Sequence, residues 1–197
     1  DLSLYDKDKL RNENVREIYE KIAEEFSVTR SNVWPCVKEF IREIDKTEYV
    51  LEIGIGNGRN MREIIGVKFG LDVCDNFLGM NREINCVKAD QMILPYRDES
   101  FDVILSVAVF HHLLDDEERI KCANEMKRVL RSGGRIFLEV FERVGEQGED
   151  MLLRWRSKDG DYKRYYHRFG EEELKRYFGN VSVVKRECNN LIFIIEK

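Results

Sequence analysis

Three histidines are the side chains in this sequence that most directly suggest chemistry. His111 and His112 follow the apolar run of ILSVAVFHHLLDDEE, and His167 lies in KRYYHRF. Histidine can ligate a metal, transfer a proton near neutral pH or pack in a core. Adjacent residues rarely converge on one ion, and no group of cysteine, histidine and carboxylate accompanies the pair, so no metal site is predicted.

A second chemical feature is the glycine-rich stretch LEIGIGNGRN, which connects a β-like run to a helical run. Glu52, Gly54, Gly56 and Gly58 alternate in it, and Asn57 lies between the last two glycines. Glycines at such a turn let the backbone bend sharply and let a ligand approach closely. The dinucleotide template G-x-G-x-x-G fails, because residue 59 is arginine. The pattern E-x-G-x-G-x-G instead resembles motif I of class I S-adenosylmethionine (AdoMet) methyltransferases; a glycine-rich turn without a ligand is the alternative.

Other positions extend this resemblance to AdoMet methyltransferases. Asp72 ends FGLDVC, where that class has an acid that accepts both ribose hydroxyls, and a carboxylate suits a diol because it only accepts. KADQMILPY resembles the adenine-flanking segment, with Asp90 near the amino group and Gln91 and Met92 beside the ring. The fourth strand-like run reaches Ser106, which the resemblance places close to the sulfonium. AdoMet is therefore the predicted cofactor.

These residues need a scaffold that brings the ends of several strands together. Helical spacing is found at 15–26, about 35–44 and 116–131, and the last of these helices is predicted to end at SGG. Strand-like runs are found at 49–53, 67–73, 84–89, 101–110 and 135–141. After a polar, irregular stretch at 142–162, a short helix EEELKRYF and the strands VSVVKRE and LIFIIEK follow. The pattern predicts a Rossmann-like α/β fold: a seven-stranded, mostly parallel sheet with an antiparallel C-terminal strand and an N-terminal helical extension.

Length and composition are consistent with one such domain. The 197 residues are predicted to form a helical extension (1–47), an AdoMet-binding half (48–141) and a substrate-side segment with a C-terminal hairpin (142–197). No run approaches the roughly 18 apolar residues of a membrane helix, and the polar N-terminus does not resemble a targeting sequence. Five cysteines without a CxxC pair favour reduced thiols, so we expect a cytoplasmic protein, with the nucleus as an alternative.

Three longer stretches carry a more specific resemblance. NVREIYEKIAEEFSVTRSNVWPCVKEF contains Arg30 and Trp34, AVFHHL contains His111, and YKRYYHRFGEEELKRYF contains Tyr166 and His167. Together they resemble the eukaryotic tRNA wobble-uridine methyltransferases over nearly the whole chain. That family esterifies 5-carboxymethyluridine in the anticodon to its methyl ester. The resemblance therefore implies an enzyme with a tRNA anticodon loop as its substrate.

The residue types agree with this reaction, because a carboxylate is already ionised at neutral pH and needs no strong base. The site has to orient the carboxylate and exclude water. Arg30, His111 and His167 are predicted to position the carboxylate, as a tyrosine donor also could, and Trp34, Tyr165 and Tyr166 are candidates to stack on the base.

Structural alternatives remain open for these side chains. One histidine of the pair is expected to pack, and we expect this of His112. Tyr165 and Tyr166 face opposite ways in an extended segment, so only one would face the pocket. Trp34 could instead be a core residue between the N-terminal helices, and Arg30 a surface arginine.

Binding of tRNA would need a local basic patch, since the net charge is −5. The segment 151–168 contains six basic residues against two aspartates: Arg154, Arg156, Lys158, Lys163, Arg164 and Arg168. Such clustering is the distribution that phosphate binding requires, and a solvated protein face is the alternative.

The resemblance also implies a heterodimer with a small zinc-binding activator subunit that pairs with an exposed sheet edge. In the usual strand order that edge is 84–89, where Ile84, Cys86 and Val87 are apolar and only Lys88 deters pairing. No membrane association is expected. Two other functions compete: methylation of a small molecule or protein side chain, and a degenerate methyltransferase fold that acts as an interaction module. The intact glycine loop 52–58 and Asp72 argue against the interaction module.

Overall fold

The computed structural model describes residue 2 and residues 5–142, 148–179, 181, 183–187 and 189–197. Its helices are α1 (Lys7–Arg11), α2 (Glu17–Thr29), α3 (Pro35–Ile41), α4 (Arg59–Glu63), α5 (Asp75–Gly79), α6 (Asp116–Val129) and α7 (Glu171–Phe178). Its strands are β1 (Tyr49–Ile53), β2 (Val67–Asp72), β3 (Asn85–Lys88), β4 (Phe101–Val107), β5 (Leu130–Phe141), β6 (Glu149–Ser157), β7 (Gly160–Arg168), β8 (Val183–Glu187) and β9 (Asn190–Glu196).

Seven of these strands form one sheet in the order β3-β2-β1-β4-β5-β9-β8. Strands β1 to β5 are mutually parallel, β9 is antiparallel to β5, and β8 is antiparallel to β9. The predicted fold class is therefore confirmed. The strand order reverses between β1 and β4, so a crevice opens at their carboxyl ends, where ligands bind in such sheets.

Apolar side chains cover both faces of the sheet. One cluster joins strand residues such as Leu51 and Ile136 to Met126 of α6 and Leu174 of α7. The other joins Val50 and Leu105 to α3 and α4. Neighbouring residues of a strand belong to opposite clusters, as the period of two requires.

Two predictions about the elements after α6 are wrong. The SGG segment does not end the helix, because β5 already begins at Leu130 and the register with β4 shifts between Phe101 and Val103. The stretch 142–162 is not irregular where it is described, because β6 and β7 pair over 149–168 as an antiparallel hairpin. Cys188, one of the five cysteines, lies outside the described residues.

The N-terminal extension lies over the carboxyl ends of the strands. It is helical from residue 7 rather than 15, through α1, a π-helical segment (Asn12–Arg16) and α2. Phe26 of α2 packs on Phe77 of α5, with ring centroids 5.8 Å apart, and on Trp155 of β6 at 5.9 Å. Within the described part of the chain, no helix is long and apolar enough to span a membrane.

Candidate active site

A pocket of about 360 Å³ occupies the crevice at the switch in strand order. Its floor is formed by the carboxyl ends of β1, β2 and β4, and its cover by α2 and the β6–β7 hairpin. Most of the predicted site residues line it: Arg30, Trp34, Glu52, Gly54, Gly56, Asn57, Asp72, Asp90, Gln91, Met92, His111 and Tyr166. Three do not, namely Gly58, Ser106 and His167.

The glycine loop needs glycine for two different reasons. Gly54 has φ +66°, and a Cβ there would lie 2.4 Å from Val109 Cγ2. Gly56 has φ +53°, but a Cβ there would meet nothing within 4 Å and would project into the pocket. Gly56 thus leaves backbone open to a ligand, as the sequence predicted. Gly58 faces away from the pocket, since its Cβ would lie 1.8 Å from Asn81 Oδ1.

Asp72 ends β2 with its carboxylate beside this loop. Its Oδ2 accepts from the Gly56 N–H and its Oδ1 from the Cys74 N–H, both at 3.0 Å. Burial raises the pKa of Asp72 to about 6, against the effect of these hydrogen bonds. Each oxygen retains a lone pair, so the carboxylate can still accept two ribose hydroxyls.

Glu52 is a second carboxyl group in the pocket, and it is almost completely buried. Its Oε1 accepts from Asn60 Nδ2 at 2.6 Å, whereas Oε2 has no partner among the described residues. Burial raises its pKa to about 8, although the Asn60 hydrogen bond and the charge of Arg59 act against this.

The segment after β3 forms the far end of the pocket, where the sequence places the adenine. Asp90 Oδ1 accepts from the Met92 N–H, and its Oδ2 accepts from Arg16 Nη2, both at 2.9 Å. Arg16 therefore ties this segment to the N-terminal extension, a contact that the sequence does not predict. Ser106, predicted near the sulfonium, is fully buried under the pocket floor, and Val107, Ala108 and Val109 form the wall there instead.

The other end of the pocket contains the predicted acceptor residues. Asn57 Nδ2 donates to the Arg30 carbonyl at 3.0 Å, which attaches the glycine loop to the end of α2. The Arg30 guanidinium lies 5.4 Å from the Phe26 ring, and that of Arg59 lies 4.6 Å from the Trp34 ring. Trp34 also packs against the core, as the structural alternative for this residue expects, and its role in stacking on the base stays a prediction.

The two adjacent histidines differ in their surroundings. His111 Nδ1 lies 3.3 Å from the Phe141 N–H, but its buried Nε2 has no partner within the described structure. Burial, and then the nearby His112 and Arg164, hold the pKa of His111 well below its ordinary value. His112 has both nitrogens occupied, by the Tyr165 carbonyl at 2.8 Å and the Tyr19 hydroxyl at 3.0 Å. The structural role expected of His112 agrees with this geometry.

Residues of β7 face opposite sides of the hairpin. Tyr166 lines the pocket, whereas Tyr165 is buried on the other face with its Oη 2.6 Å from Asp150 Oδ1. His167 shares that second face, with Nδ1 2.6 Å from Asp150 Oδ1 and Nε2 2.8 Å from Glu173 Oε1. The prediction that His167 positions the carboxylate in this pocket is therefore wrong, because consecutive strand residues point to opposite faces and Tyr166 faces the pocket.

Among the pocket residues that the reasoning from sequence did not assign to the site are Arg16, Tyr19, Arg59 and Arg164. The sequence does contain a signal for Arg59, because the template G-x-G-x-x-G fails at this residue. Arg164 was assigned to a surface patch, yet it is buried at 7% exposure. Its burial depends on the hairpin and α2, which no local pattern indicates.

The donor set fits AdoMet without requiring further groups. Asp72, which ends β2, offers hydrogen-bond acceptors for the ribose hydroxyls. Gly56 leaves room at the glycine loop, and the half-buried Met92 offers an apolar contact. Among the described residues, no group of three histidine, cysteine or acidic side chains is placed to hold a metal ion.

Comparison with known proteins agrees with this site. Residues 51–138 match the family model described as a methyltransferase domain. An Encephalitozoon cuniculi protein, named as a methyltransferase without a stated substrate, is 36% identical over 81% of this chain and 82% of its own length. The human protein named "Probable tRNA methyltransferase 9B" is 32% identical over 75% of this chain. The Saccharomyces cerevisiae tRNA (carboxymethyluridine(34)-5-O)-methyltransferase is 29% identical over 82%. The chain spans only 34% and 55%, respectively, of the last two proteins.

Solved structures show the same fold. A Burkholderia thailandensis N1-methyltransferase with bound S-adenosylhomocysteine superposes with a TM-score of 0.71 at 16% identity, covering 93% of this chain and 87% of that one. A Haloferax volcanii methyltransferase, solved with the Trm112 methyltransferase activator, has a TM-score of 0.67 at 16% identity, with 92% and 96% covered. The fold, the family match and the glycine loop with its acidic neighbour agree, and the chain belongs to the class I methyltransferases that use S-adenosylmethionine.

Proposed function

We propose that this chain is the catalytic subunit of a tRNA methyltransferase that esterifies 5-carboxymethyluridine at the anticodon wobble position. The relatives named for tRNA methylation support the substrate class. The observation that carries the proposal is the set of donors in the pocket. Arg30, His111 and Tyr166 line it together with Asp72 and Asp90, the carboxylates of the segments assigned to the cofactor. Cationic and neutral donors suit an anionic acceptor.

In this reaction the acceptor carboxylate is its own nucleophile, because it is ionised at neutral pH. The transfer forms a bond between a carboxylate oxygen and the methyl carbon, breaks the carbon–sulfur bond with its electrons left on sulfur, and moves no proton. Bound AdoMet supplies the electrophilic methyl group, and Asp72 with the loop 54–57 would hold it. Arg30 and His111 orient the carboxylate, and Trp34 stacks on the base.

The hairpin tip offers a surface for the anticodon stem. Arg156, Lys158 and Lys163 are exposed there, and so is Arg154, which pairs with Asp161. The predicted patch is smaller than expected from the sequence, because Arg164 is buried and Arg168 is half-buried against the Glu142 carbonyl. We propose that the remaining basic residues contact RNA phosphates.

The partner in this proposal is an activator subunit that pairs with the free edge of β3. Among the described strands, β3 pairs only with β2. The outer side of the segment 84–89 is therefore open to a strand from another chain. The activator bound to the Haloferax volcanii protein supports the choice of partner.

The test is transfer of labelled methyl from AdoMet to tRNA that lacks the final ester, with and without a Trm112-type activator, followed by nucleoside analysis. We expect a methyl ester on 5-carboxymethyluridine. Arg30→Ala and His111→Ala should each lower kcat/KM on the order of 100-fold, without loss of AdoMet binding by calorimetry.

Arg97→Ala is the matched control for the arginine, because Arg97 is exposed and lies in the loop before β4. It should leave the rate unchanged. Absence of label in tRNA from a folded, AdoMet-binding heterodimer would retire the wobble-uridine proposal.

A small-molecule acceptor is the second candidate. The pocket is covered by α2 and the hairpin, and a neutral His111, whose Nδ1 accepts from the Phe141 N–H, could donate its Nε2–H to a polar group of a small acceptor. Failure to bind tRNA, together with full activity after neutralising the hairpin tip, would favour it.

A further inference from the structure

Arg164 is a buried cation without an anionic partner in the described structure. It is 7% exposed, lines the pocket, and forms no ion pair with any described carboxylate. Its Nε is buried and makes no hydrogen bond to any described residue, and Nη1 donates to the hydroxyls of Tyr166 (2.6 Å) and Tyr19 (3.4 Å). Burying a charged group without a counter-charge costs free energy, so this arrangement points to an anionic ligand.

Arg119 is a second buried arginine of this fold, and it is paired with carboxylates. Arg119 is also buried, at 4% exposure, but its guanidinium lies 3.2 Å from Asp116, 3.6 Å from Asp150 and 3.8 Å from Glu173. Arg164 instead lies against aromatic rings, 4.8 Å from Trp155 and 5.1 Å from Tyr166. Those rings hold the guanidinium in place while its charge remains unneutralised.

The hydrogen bonds around Arg164 have a defined direction. The Tyr165 carbonyl can only accept, so His112 Nδ1 donates to it, and Nε2 of the neutral ring accepts from the Tyr19 hydroxyl. The Tyr19 oxygen, 3.1 Å from Tyr166, then accepts the Tyr166 proton, and the Tyr166 oxygen accepts from Arg164. Both tyrosine protons are thus committed within the protein. Of these residues, only Arg164 retains N–H groups for a ligand.

We propose that Arg164 is the residue that binds the carboxylate of the methyl acceptor, with Tyr19 and Tyr166 holding its guanidinium in position. This inference rests on the proposed function, which requires an anionic acceptor in this pocket. It also revises the role of Tyr166 from a donor to the carboxylate into a support for Arg164. The planar guanidinium can donate two parallel hydrogen bonds to one carboxylate, which selects a carboxylate over an amide.

The test compares two anticodon stem-loops in the presence of S-adenosylhomocysteine. One carries 5-carboxymethyluridine and the other carries the neutral, nearly isosteric 5-carbamoylmethyluridine at the wobble position. The wild-type chain with its activator should bind the carboxylate RNA at least about tenfold more tightly. Arg164→Met should lose most of this preference, and Arg164→Lys should retain more of it than Arg164→Met.

Arg154→Met is the matched control, because Arg154 lies on the same hairpin but is exposed. It should change binding of both RNAs by the same factor. Unfolding temperature and S-adenosylhomocysteine binding of Arg164→Met should match or exceed those of the wild type, since no carboxylate is left unpaired. A preserved carboxylate preference in Arg164→Met, or no preference in the wild type, overturns the inference. Methylation is measured separately, so absence of ester product with an Arg164-dependent preference would refute the proposed function alone.

Discussion

At the level of single residues, Glu52 in the pocket and Glu139 of β5 are two buried carboxyl groups. Burial raises the pKa of each to about 8, although Asn60 donates to Glu52 and Asn190 donates to Glu139. A carboxyl group with a raised pKa favours folding while it is protonated. Its contribution is complete below its unfolded pKa, near 4.5, and is lost as the pH rises through the folded pKa near 8.

We therefore expect the unfolding temperature of the ligand-free chain to fall between about pH 5 and pH 8. Glu52→Gln mimics the protonated side chain and should make this fall shallower, by at most about 1.4 kcal/mol per pH unit in the free energy of unfolding. Calorimetric melts across this range measure the effect. Glu83→Gln, at an exposed position, is the control. An identical slope in Glu52→Gln and in the wild type would contradict the assignment.

At the level of elements, the β6–β7 hairpin is the part that completes the pocket wall, and one buried cluster attaches it to the domain. His167 of β7 contacts Asp150 of β6 and Glu173 of α7, and Arg119 of α6 lies 3.8 Å from Glu173. Burial lowers the pKa of His167, but the two carboxylates outweigh burial and raise it overall. The imidazolium therefore joins the hairpin to α7 most strongly below the raised pKa.

Glu173→Gln should loosen the hairpin while leaving the main sheet intact. The buried hydrogen bond to His167 loses its charge, which we expect to destabilise the chain by about 1–3 kcal/mol. Hydrogen exchange should become faster for amides of 149–168 but not for β1, β4 and β5. Glu172→Gln is the matched control, because Glu172 is exposed and pairs only with Lys175. Unchanged protection of the hairpin in Glu173→Gln would show that other contacts attach it.

The hairpin also marks the limit of reasoning from sequence about elements. Strands β1 and β4 are recognisable from short apolar runs, and α7 matches its predicted span of EEELKRYF. In β7, four consecutive residues are buried, and two of them, Arg164 and His167, are polar. A strand covered on both faces and containing buried polar groups lacks the alternation that identifies strands. The polar composition of this stretch therefore led to the prediction of an irregular segment at 142–162.

At the level of the whole molecule, the free edge of β3 is where we expect a second chain. The Ala89 N–H donates to the Asp72 carbonyl of β2 at 3.1 Å. Backbone groups alternate sides along a strand, so the Val87 N–H also points toward β2 and the Cys86 N–H points to the free edge. An edge donor can therefore be removed without breaking the pairing with β2.

Cys86→Pro should abolish capture of a Trm112-type activator in a pull-down while the chain still binds AdoMet. Proline lacks the N–H that an added strand would need, and it is tolerated on the open side of an edge strand. Cys86→Ala should bind the activator normally. Val87→Pro should instead lower the unfolding temperature, because it removes a donor to β2. Normal capture by Cys86→Pro would place the activator elsewhere.

The main sheet and the cofactor loop could be predicted from sequence, because both rest on local features. Strand and helix periodicities show in short runs, and the glycines and Asp72 lie next to each other at the switch in strand order. The tertiary structure decided which polar side chains face the pocket. Two pairs of identical side chains illustrate this: the histidines His111 and His167, and the buried arginines Arg164 and Arg119. Their surroundings differ because α2, α6, α7 and the hairpin supply partners from distant parts of the chain.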